Sequence, residues 1–220
     1  MRADFDRLAR LGADRWDHNV HYHPWLLAAL PPRVGDVLDA GCGAGVFSCA
    51  LAPRAGSVLG VDLSAEMVGL ARARAAAAGH RHVRFEVADL TTLPLPAGSL
   101  DAVVSIATLH HLPLEETLAR WAEALRPGGV LAVLDLVKDD GVADFARSAL
   151  AVPANLALHK LRTGAFRDPP ELRRAWEEHG RTDVYATLAE VRAAAARALP
   201  GARVRRHLLW RYSLRWRRPS

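Results

Sequence analysis

The sequence predicts an α/β fold with a mostly parallel sheet, and two observations lead to that prediction. Short apolar segments with strand character alternate with helical segments along the first two thirds of the chain. Three of these strands in succession end in an aspartate: Asp39, Asp62 and Asp89. The 220 residues, half of them hydrophobic, can bury one core, so we expect a single domain over residues 1–220.

The first strand runs directly into a glycine-rich turn. Val37, Leu38 and Ala40 predict a buried strand, and Gly41, Gly43 and Gly45 follow at alternate positions. Glycines allow a positive φ and leave the main chain bare, and the helix predicted over residues 46–52 begins where they end. Its first N–H groups lack helical partners, so the turn can hold a ligand against the main chain.

The spacing of the turn favours a ligand with an amino group. The dinucleotide fingerprint places its third glycine one residue later than Gly45, where this chain has Val46. Asp39, two residues before Gly41, would repel a phosphate and attract an ammonium group. A dinucleotide is therefore disfavoured.

The next two strands add acidic residues at corresponding positions. The strand predicted over residues 57–64 contains Asp62, about 20 positions after Gly41, the separation at which an acid meets a ribose in a βαβ unit. Ser64 caps the helix predicted over residues 65–78. A third strand, over residues 83–90, contains Asp89.

The motif D-x-G-x-G-x-G at residues 39–45, with Asp62 and Asp89 after it, resembles the class I S-adenosylmethionine-dependent methyltransferases of the small-molecule type. The chain is broadly similar to menaquinone and ubiquinone ring C-methyltransferases and to natural-product methyltransferases. The resemblance is specific over residues 36–136 and includes the LRPGG turn at residues 125–129. It implies a Rossmann-like seven-stranded, mostly parallel sheet with an antiparallel edge strand and a helical cap.

The resemblance also implies S-adenosylmethionine as the cofactor. Asp39 and the glycine turn would hold the methionine end, Asp62 the ribose hydroxyls, and Asp89 with Leu90 the adenine. The predicted cofactor-binding residues are Tyr22, Asp39, Gly41, Cys42, Gly43, Gly45, Asp62, Leu63, Met67, Asp89, Leu90, Ile106 and Ala107.

Residues 1–30 form a helical, aromatic-rich segment before the first strand, and we interpret them as N-terminal lid helices. His18, His21, Tyr22 and His23 lie within six residues, and on a continuous helix His18 would share a face with His21 and Tyr22. The segment could instead be a packed cap, or its histidines could bind zinc. We expect the lid and predict no metal.

The fourth strand, predicted over residues 100–106, is followed by His110 and His111. Ligands of open α/β sheets lie beyond the carboxyl ends of the strands, so both histidines fall at the functional edge. A histidine there could remove a proton from an acceptor. The catalytic candidates are His110 first, then His111 and His23, and the alternative is that these rings only shape the pocket.

The remaining elements complete the predicted sheet and cover it. Residues 138–182 are predicted to form a helical cap insertion that encloses the acceptor with the N-terminal lid. The other predictions are helices at 114–125, 145–161 (kinked or divided at Pro153), 171–179 and 187–199, a fifth strand at 130–137, and a final pair of strands.

The last 18 residues hold seven arginines and no acid. They could form a nucleic-acid patch, but the alternation of apolar and polar residues over 208–216 favours an edge strand kept soluble by arginine. The proline-bearing tetrapeptide of amino-methylating nucleic-acid enzymes is absent after the fourth strand, where residues 107–110 read ATLH. The sequence therefore disfavours a nucleic-acid partner.

The predicted function is methyl transfer from S-adenosylmethionine to an O, N or C nucleophile of a small organic acceptor. Two alternatives stay open: a protein that binds the cofactor but catalyses another reaction, and a nucleic-acid methyltransferase using the arginine-rich end. No run of 18 apolar residues predicts a membrane span, and the charged first residues predict a cytoplasmic protein, monomeric or homodimeric.

Overall fold

The computed structural model describes residues 2–12, 18–181 and 183–220, with the side chain of His18 outside that description. The strands of this part of the chain are β1 Val34–Ala40, β2 Ala55–Asp62, β3 Val83–Val87, β4 Leu100–Ile106, β5 Leu125–Leu136, β6 Arg203–Arg206 and β7 Arg211–Arg217. The helices are α1 Arg2–Arg10, α2 His18–His21, α3 His23–Ala29, α4 Val46–Leu51, α5 Ala65–Ala77, α6 Leu114–Ala124, α7 Val142–Thr163, α8 Pro170–Gly180 and α9 Leu188–Ala198, with a 3₁₀ turn at Leu109–His111.

The strands form a seven-stranded sheet in the order β3-β2-β1-β4-β5-β7-β6. The first five strands are parallel, and β7 is antiparallel to both of its neighbours. The strand order reverses between β1 and β4, which creates the crevice where open α/β sheets bind ligands. The predicted Rossmann-like fold class is confirmed.

Both faces of the sheet are covered, as strands with nearly continuous apolar sequences require. Val37 and Val104 pack with α3, α4 and α5 on one face. Leu38 and Val103, their chain neighbours, pack with α6 and α9 on the other. This double burial fixes the register of β1 and β4, and therefore the positions of the residues that follow them.

Strand β3 ends at Val87 instead of continuing to residue 90, so Asp89 lies two residues beyond the strand and not inside it. Strand β5 and helix α7 also differ from the sequence prediction. Strand β5 begins at Leu125 rather than Val130, because Leu125 already pairs with Leu100 ahead of a register shift, and Gly128 absorbs the irregularity with φ of +78°. Helix α7 continues through Pro153 as one helix of 22 residues instead of being divided there.

The C-terminal hairpin also differs, because β7 lies inside the sheet and only β6 is at the edge. Leu214 and Trp216 of β7 are buried in the core on the face of the sheet that α6 and α9 cover. Three of the seven arginines bond within the protein: Arg206 to Asp139, Arg211 to Asn19, and Arg218 to main-chain carbonyls at the end of α6. The four exposed arginines are Arg203, Arg205, Arg215 and Arg217.

The N-terminal segment contains three short helices in its described residues rather than one continuous helix. Leu8 of α1 packs with Met67 of α5 and Leu172 of α8, so α1 connects these two helices. Helix α2 ends at His21 and α3 begins at His23, so Tyr22 lies at a break between two helices. The predicted face of His18 lies outside the description, because the side chain of His18 is not described. None of the helices in the described ranges has both the length and the apolar character needed to cross a bilayer.

Candidate cofactor and acceptor site

A cavity of about 350 Å³ lies at the carboxyl ends of the strands around the switch point. A volume of this size falls within the range of small-molecule sites. Eleven of the thirteen predicted cofactor residues line it: Asp39, Gly41, Cys42, Gly43, Asp62, Leu63, Met67, Asp89, Leu90, Ile106 and Ala107. Tyr22 and Gly45 are the two that do not.

The three glycines of the turn are required for different reasons. A Cβ on Gly41 would lie 1.9 Å from Thr108 Oγ1, and one on Gly45 would lie 2.7 Å from Ala71 Cβ. A Cβ on Gly43 would meet no atom within 4 Å, although this residue lines the cavity. Gly41 and Gly45 therefore serve packing, and Gly43 leaves space for a ligand to approach the main chain.

Asp62 is held by the main chain at the end of β2. Its Oδ2 accepts a hydrogen bond from Gly43 N at 2.9 Å, and its Oδ1 accepts one from Ser64 N at 2.9 Å. Burial raises the pKa of this carboxyl above its usual value. Each oxygen has a further lone pair, so the group can accept two hydroxyl donors in addition.

Asp39 is almost completely buried at the end of β1, with 1% of its surface exposed. The hydroxyl of Ser48 donates a hydrogen bond to its Oδ2. Burial is the main cause that raises the pKa of Asp39 to about 7, and the nearby charge of Asp62 adds to it. A cationic group placed in the cavity would favour the ionised form.

Asp89 lies after β3 and is exposed, in contrast to the other two acids. Its Oδ1 accepts hydrogen bonds from Thr91 N at 2.8 Å and Thr91 Oγ1 at 2.7 Å. These bonds hold the pKa of Asp89 below its usual value. The carboxylate is therefore oriented and ionised beside Leu90.

The prediction that Tyr22 helps to form the cofactor pocket does not agree with the structure. Its ring is buried, and its hydroxyl accepts a hydrogen bond from Leu209 N at 3.3 Å, in the turn before β7. The ring also packs against His21 and His207. Tyr22 thus connects α2 and α3 to the C-terminal hairpin, away from the cavity wall.

The three candidate catalytic histidines do not all face the cavity. His23 and His111 line the cavity, whereas His110 does not. His110 Nδ1 lies 2.6 Å from Asp135 Oδ1, and its main-chain N–H donates to Asp135 Oδ2 at 2.9 Å. Burial and the adjacent His110 lower the pKa of His111 to about 4. His110, the first candidate by sequence, therefore lies behind the wall.

Several residues at the site were not predicted from the sequence to belong to it. Asp135 sits in the apolar strand β5, and an acid in such a strand is the signal that could have identified it as a buried partner. Phe5 and Trp176, from α1 and α8, also line the cavity. Asp183 lies in the segment after α8, and nothing in the local sequence indicates that it meets His110 and His111.

Comparison with known proteins supplies the family. A family described as a methyltransferase domain matches residues 37–129. An uncharacterised methyltransferase of Mycobacterium bovis is 34% identical over 209 residues, which cover 93% of this chain and 98% of that protein. The chain belongs to the methyltransferase family. The resemblance to class I S-adenosylmethionine-dependent enzymes is confirmed.

Two further comparisons place this methyltransferase among its relatives. It is 34% identical to the 27-O-demethylrifamycin SV methyltransferase of Amycolatopsis mediterranei over 154 residues, which are 60% of this chain and 57% of that protein. A solved S-adenosylmethionine-dependent methyltransferase from Aquifex aeolicus superposes with a TM-score of 0.63 at 19% identity, covering 96% of this chain and 97% of that one. This structural similarity concerns the fold.

Proposed function

We propose that this methyltransferase binds S-adenosylmethionine along the cavity and transfers its methyl group to an O, N or C atom of a small organic acceptor. The amino group would lie at Asp39, the ribose hydroxyls at Asp62, and the adenine at Asp89 and Leu90. One observation carries the proposal: three aspartates at the ends of three adjacent strands border the same cavity as the open face of Gly43.

The order of the acids fits an extended nucleoside. Strands β1, β2 and β3 are neighbours in the sheet, so their ends are separated by about 5 Å from one strand to the next. Asp39 is buried and suited to one cation, Asp62 has two free acceptor positions, and Asp89 is an exposed, oriented acceptor. The three environments differ in the way that an ammonium group, a diol and an aromatic amine require.

When bound, S-adenosylmethionine supplies an electrophilic methyl group on its sulfonium. The protein's contribution is to hold the acceptor in line and to exclude water. Two aromatic side chains, Phe5 of α1 and Trp176 of α8, line the cavity together with His23 and His111. An aromatic, partly polar wall suits a small organic acceptor, and the similarity to the rifamycin methyltransferase supports that class.

The role of a general base stays a prediction, and the geometry changes the order of its candidates. His111 and His23 can contact an acceptor in the cavity, while His110 is separated from it by the wall. The Asp135 contacts instead fix the ring of His110 in one orientation. We therefore place His111 and His23 ahead of His110 for any contact with the acceptor.

The arginine-rich end gives little support to a nucleic-acid substrate. Arg206 and Arg211 are bound to Asp139 and Asn19 inside the fold, so the basic charge available for phosphate contacts is smaller than the sequence suggests. The cytoplasmic location and the monomeric or homodimeric state stay predictions.

Methyl transfer is tested with methyl-labelled S-adenosylmethionine and a panel of small phenols, catechols, hydroxy acids and amines. We expect label in at least one acceptor class, with stoichiometric formation of S-adenosylhomocysteine. Cofactor binding without transfer to any class would favour the alternative of a different reaction. Failure to bind either S-adenosylmethionine or S-adenosylhomocysteine would contradict the proposal itself.

Cofactor affinity should depend on pH through Asp39. Its pKa of about 7 in the free protein means that the carboxyl is largely protonated at pH 6, and an ammonium partner requires it ionised. Binding should therefore release a proton below pH 7, and affinity should fall by up to about tenfold per pH unit as the pH decreases. Titration calorimetry in buffers of different ionisation enthalpy measures the released proton.

The matched variant for this test is Asp39→Asn. It should bind the cofactor weakly at every pH and release no proton, because the titrating group is gone. A wild-type affinity that stays constant between pH 5.5 and 8 would show that Asp39 does not meet the ammonium group.

A further inference from the structure

A second cluster of potential ligands begins at the wall of the cavity, with His111, and extends behind it. His110, His111 and Asp183 each direct one donor atom to a common region, and these atoms all lie within 4.8 Å of one another. Their side chains are 6%, 8% and 6% exposed. The histidines of the N-terminal segment that the structure describes, His21 and His23, join no such group of three.

The distances within the cluster suit donors that share an ion better than donors that bond to each other. His110 Nε2 lies 3.9 Å from Asp183 Oδ2, and His111 Nδ1 lies 3.6 Å from Asp183 Oδ1. Both are too long for hydrogen bonds. Two ligands of one tetrahedral zinc ion, each about 2.0–2.1 Å from it, lie about 3.4 Å apart. The three donors, which all lie within 4.8 Å of one another, would therefore move closer together around an ion.

The surroundings of the cluster match those of a metal site. His110 bonds through Nδ1 to Asp135, which leaves Nε2 as the donor directed at Asp183. A carboxylate on the second ring nitrogen is the usual way in which a ligating histidine is oriented. Tyr185 donates its hydroxyl to Asp183 Oδ2 at 2.8 Å and fixes that carboxylate in turn.

The buried carboxylates in and beside the cluster also favour a bound cation. Asp135 and Asp183 are both buried carboxylates, with 0% and 6% of their side chains exposed. Throughout the described ranges, neither forms an ion pair with a lysine or arginine; their charged contacts are to histidines, including His179 Nε2 at 3.7 Å from Asp183. Two buried carboxylates need positive charge nearby, which a divalent ion would supply.

We propose that His110, His111 and Asp183 bind one divalent first-row transition metal ion, with Zn²⁺ as the best match to the donor set. Two imidazoles and one carboxylate are the ligands of open zinc sites, which keep a coordination position for a further ligand. Because His111 also lines the cavity, the ion would lie beside the cavity. A hydroxyl or carboxylate oxygen of the acceptor is the group that could take the open position.

The metal alone is the probe. Protein treated with EDTA and freed of the chelator is titrated with Co²⁺ and then with Zn²⁺, without cofactor or acceptor. We expect one equivalent of Co²⁺ to give the visible absorption of a four- or five-coordinate nitrogen and oxygen site, and Zn²⁺ to displace it. At a hundredfold excess of Zn²⁺ over its Kd, Tm should rise by about 5 °C or more.

Variants separate this site from surface binding. Asp183→Asn and His111→Gln should each lower metal affinity by about 100-fold or more, and Asp135→Asn by about 10- to 100-fold. The matched control is His80→Gln. His80 and His82 form a pair of histidines outside the cluster, and their ring centroids are 6.1 Å apart. That variant should bind as the wild type does.

Two results would overturn the proposal. One is the absence of stoichiometric Co²⁺ or Zn²⁺ binding by the wild-type protein, which needs no variant to fold. The other is equal metal affinity in wild type and Asp183→Asn, each shown to be folded by circular dichroism, which would indicate adventitious binding elsewhere. Gly43→Ala, a change in the cofactor turn, should keep its metal affinity, so failure of the cofactor assignment would be recognised separately.

Discussion

Gly45→Ala should lower the free energy of unfolding by about 2–5 kcal/mol. Gly45 has φ of +74°, which alone costs an alanine about 1–2 kcal/mol. Its Cβ would also lie 2.7 Å from Ala71 Cβ, 2.9 Å from the Phe85 ring and 3.0 Å from Ala71 Cα. Because Ala71 is part of helix α5 and fully buried, the main chain must move to relieve the contact.

Gly43→Ala is the matched control, two residues away in the same turn. Gly43 has φ of +49°, so an alanine there has a similar backbone cost, but the added Cβ would meet no atom within 4 Å. We expect a loss of about 1–2 kcal/mol and a reduced cofactor affinity, because the new methyl enters the cavity. Urea unfolding of both variants gives the two free energies, and equal losses would show that contact with Ala71 and Phe85 does not decide the role of Gly45.

The sequence predicted the parts of this protein that depend on local pattern. Val37, Leu38 and the glycines after them set the end of β1, and a parallel sheet then requires Asp62 and Asp89 to emerge at the same edge. Strand β4 was predicted at its observed bounds because its apolar run is buried on both faces. These constraints are short in range, so they are visible without the fold.

The parts that were missed depend on contacts between distant segments. His179 of α8 and Asp183 after it come close to His110 and His111 only through the tertiary fold, which brings α8 beside the 3₁₀ turn at Leu109–His111. Tyr22 was predicted to face the cofactor from its position in the lid, but its hydroxyl meets the main chain of Leu209, 187 residues later. The packing of the cap and of the C-terminal hairpin decides where such residues lie. The local sequence pattern does not predict that packing.

Asp62→Asn should lower the affinity for S-adenosylhomocysteine by about 100-fold or more. The carboxylate can accept two hydroxyl donors, and hydrogen bonds to a charged group contribute about 1.5–3 kcal/mol each. The change also disturbs the turn, because both carboxylate oxygens accept main-chain N–H groups, from Gly43 and Ser64. An amide NH₂ would face one of those two N–H donors. The variant would therefore lose a hydrogen bond that holds the turn as well as the ribose contacts.

Asp101→Asn provides the control, because it makes the same chemical change at an aspartate that also accepts a main-chain hydrogen bond. Asp101 Oδ2 accepts a hydrogen bond from Asp36 N at 2.7 Å and pairs with Arg126, at the amino ends of the strands rather than at the cavity. Its replacement should lower stability and leave cofactor affinity within about threefold of wild type, a difference of less than 1 kcal/mol. Calorimetric titration of both variants with S-adenosylhomocysteine, with unfolding curves alongside, separates the two effects. If both variants lost affinity equally, the loss would reflect general destabilisation, and Asp62 would not be a direct ligand of the ribose.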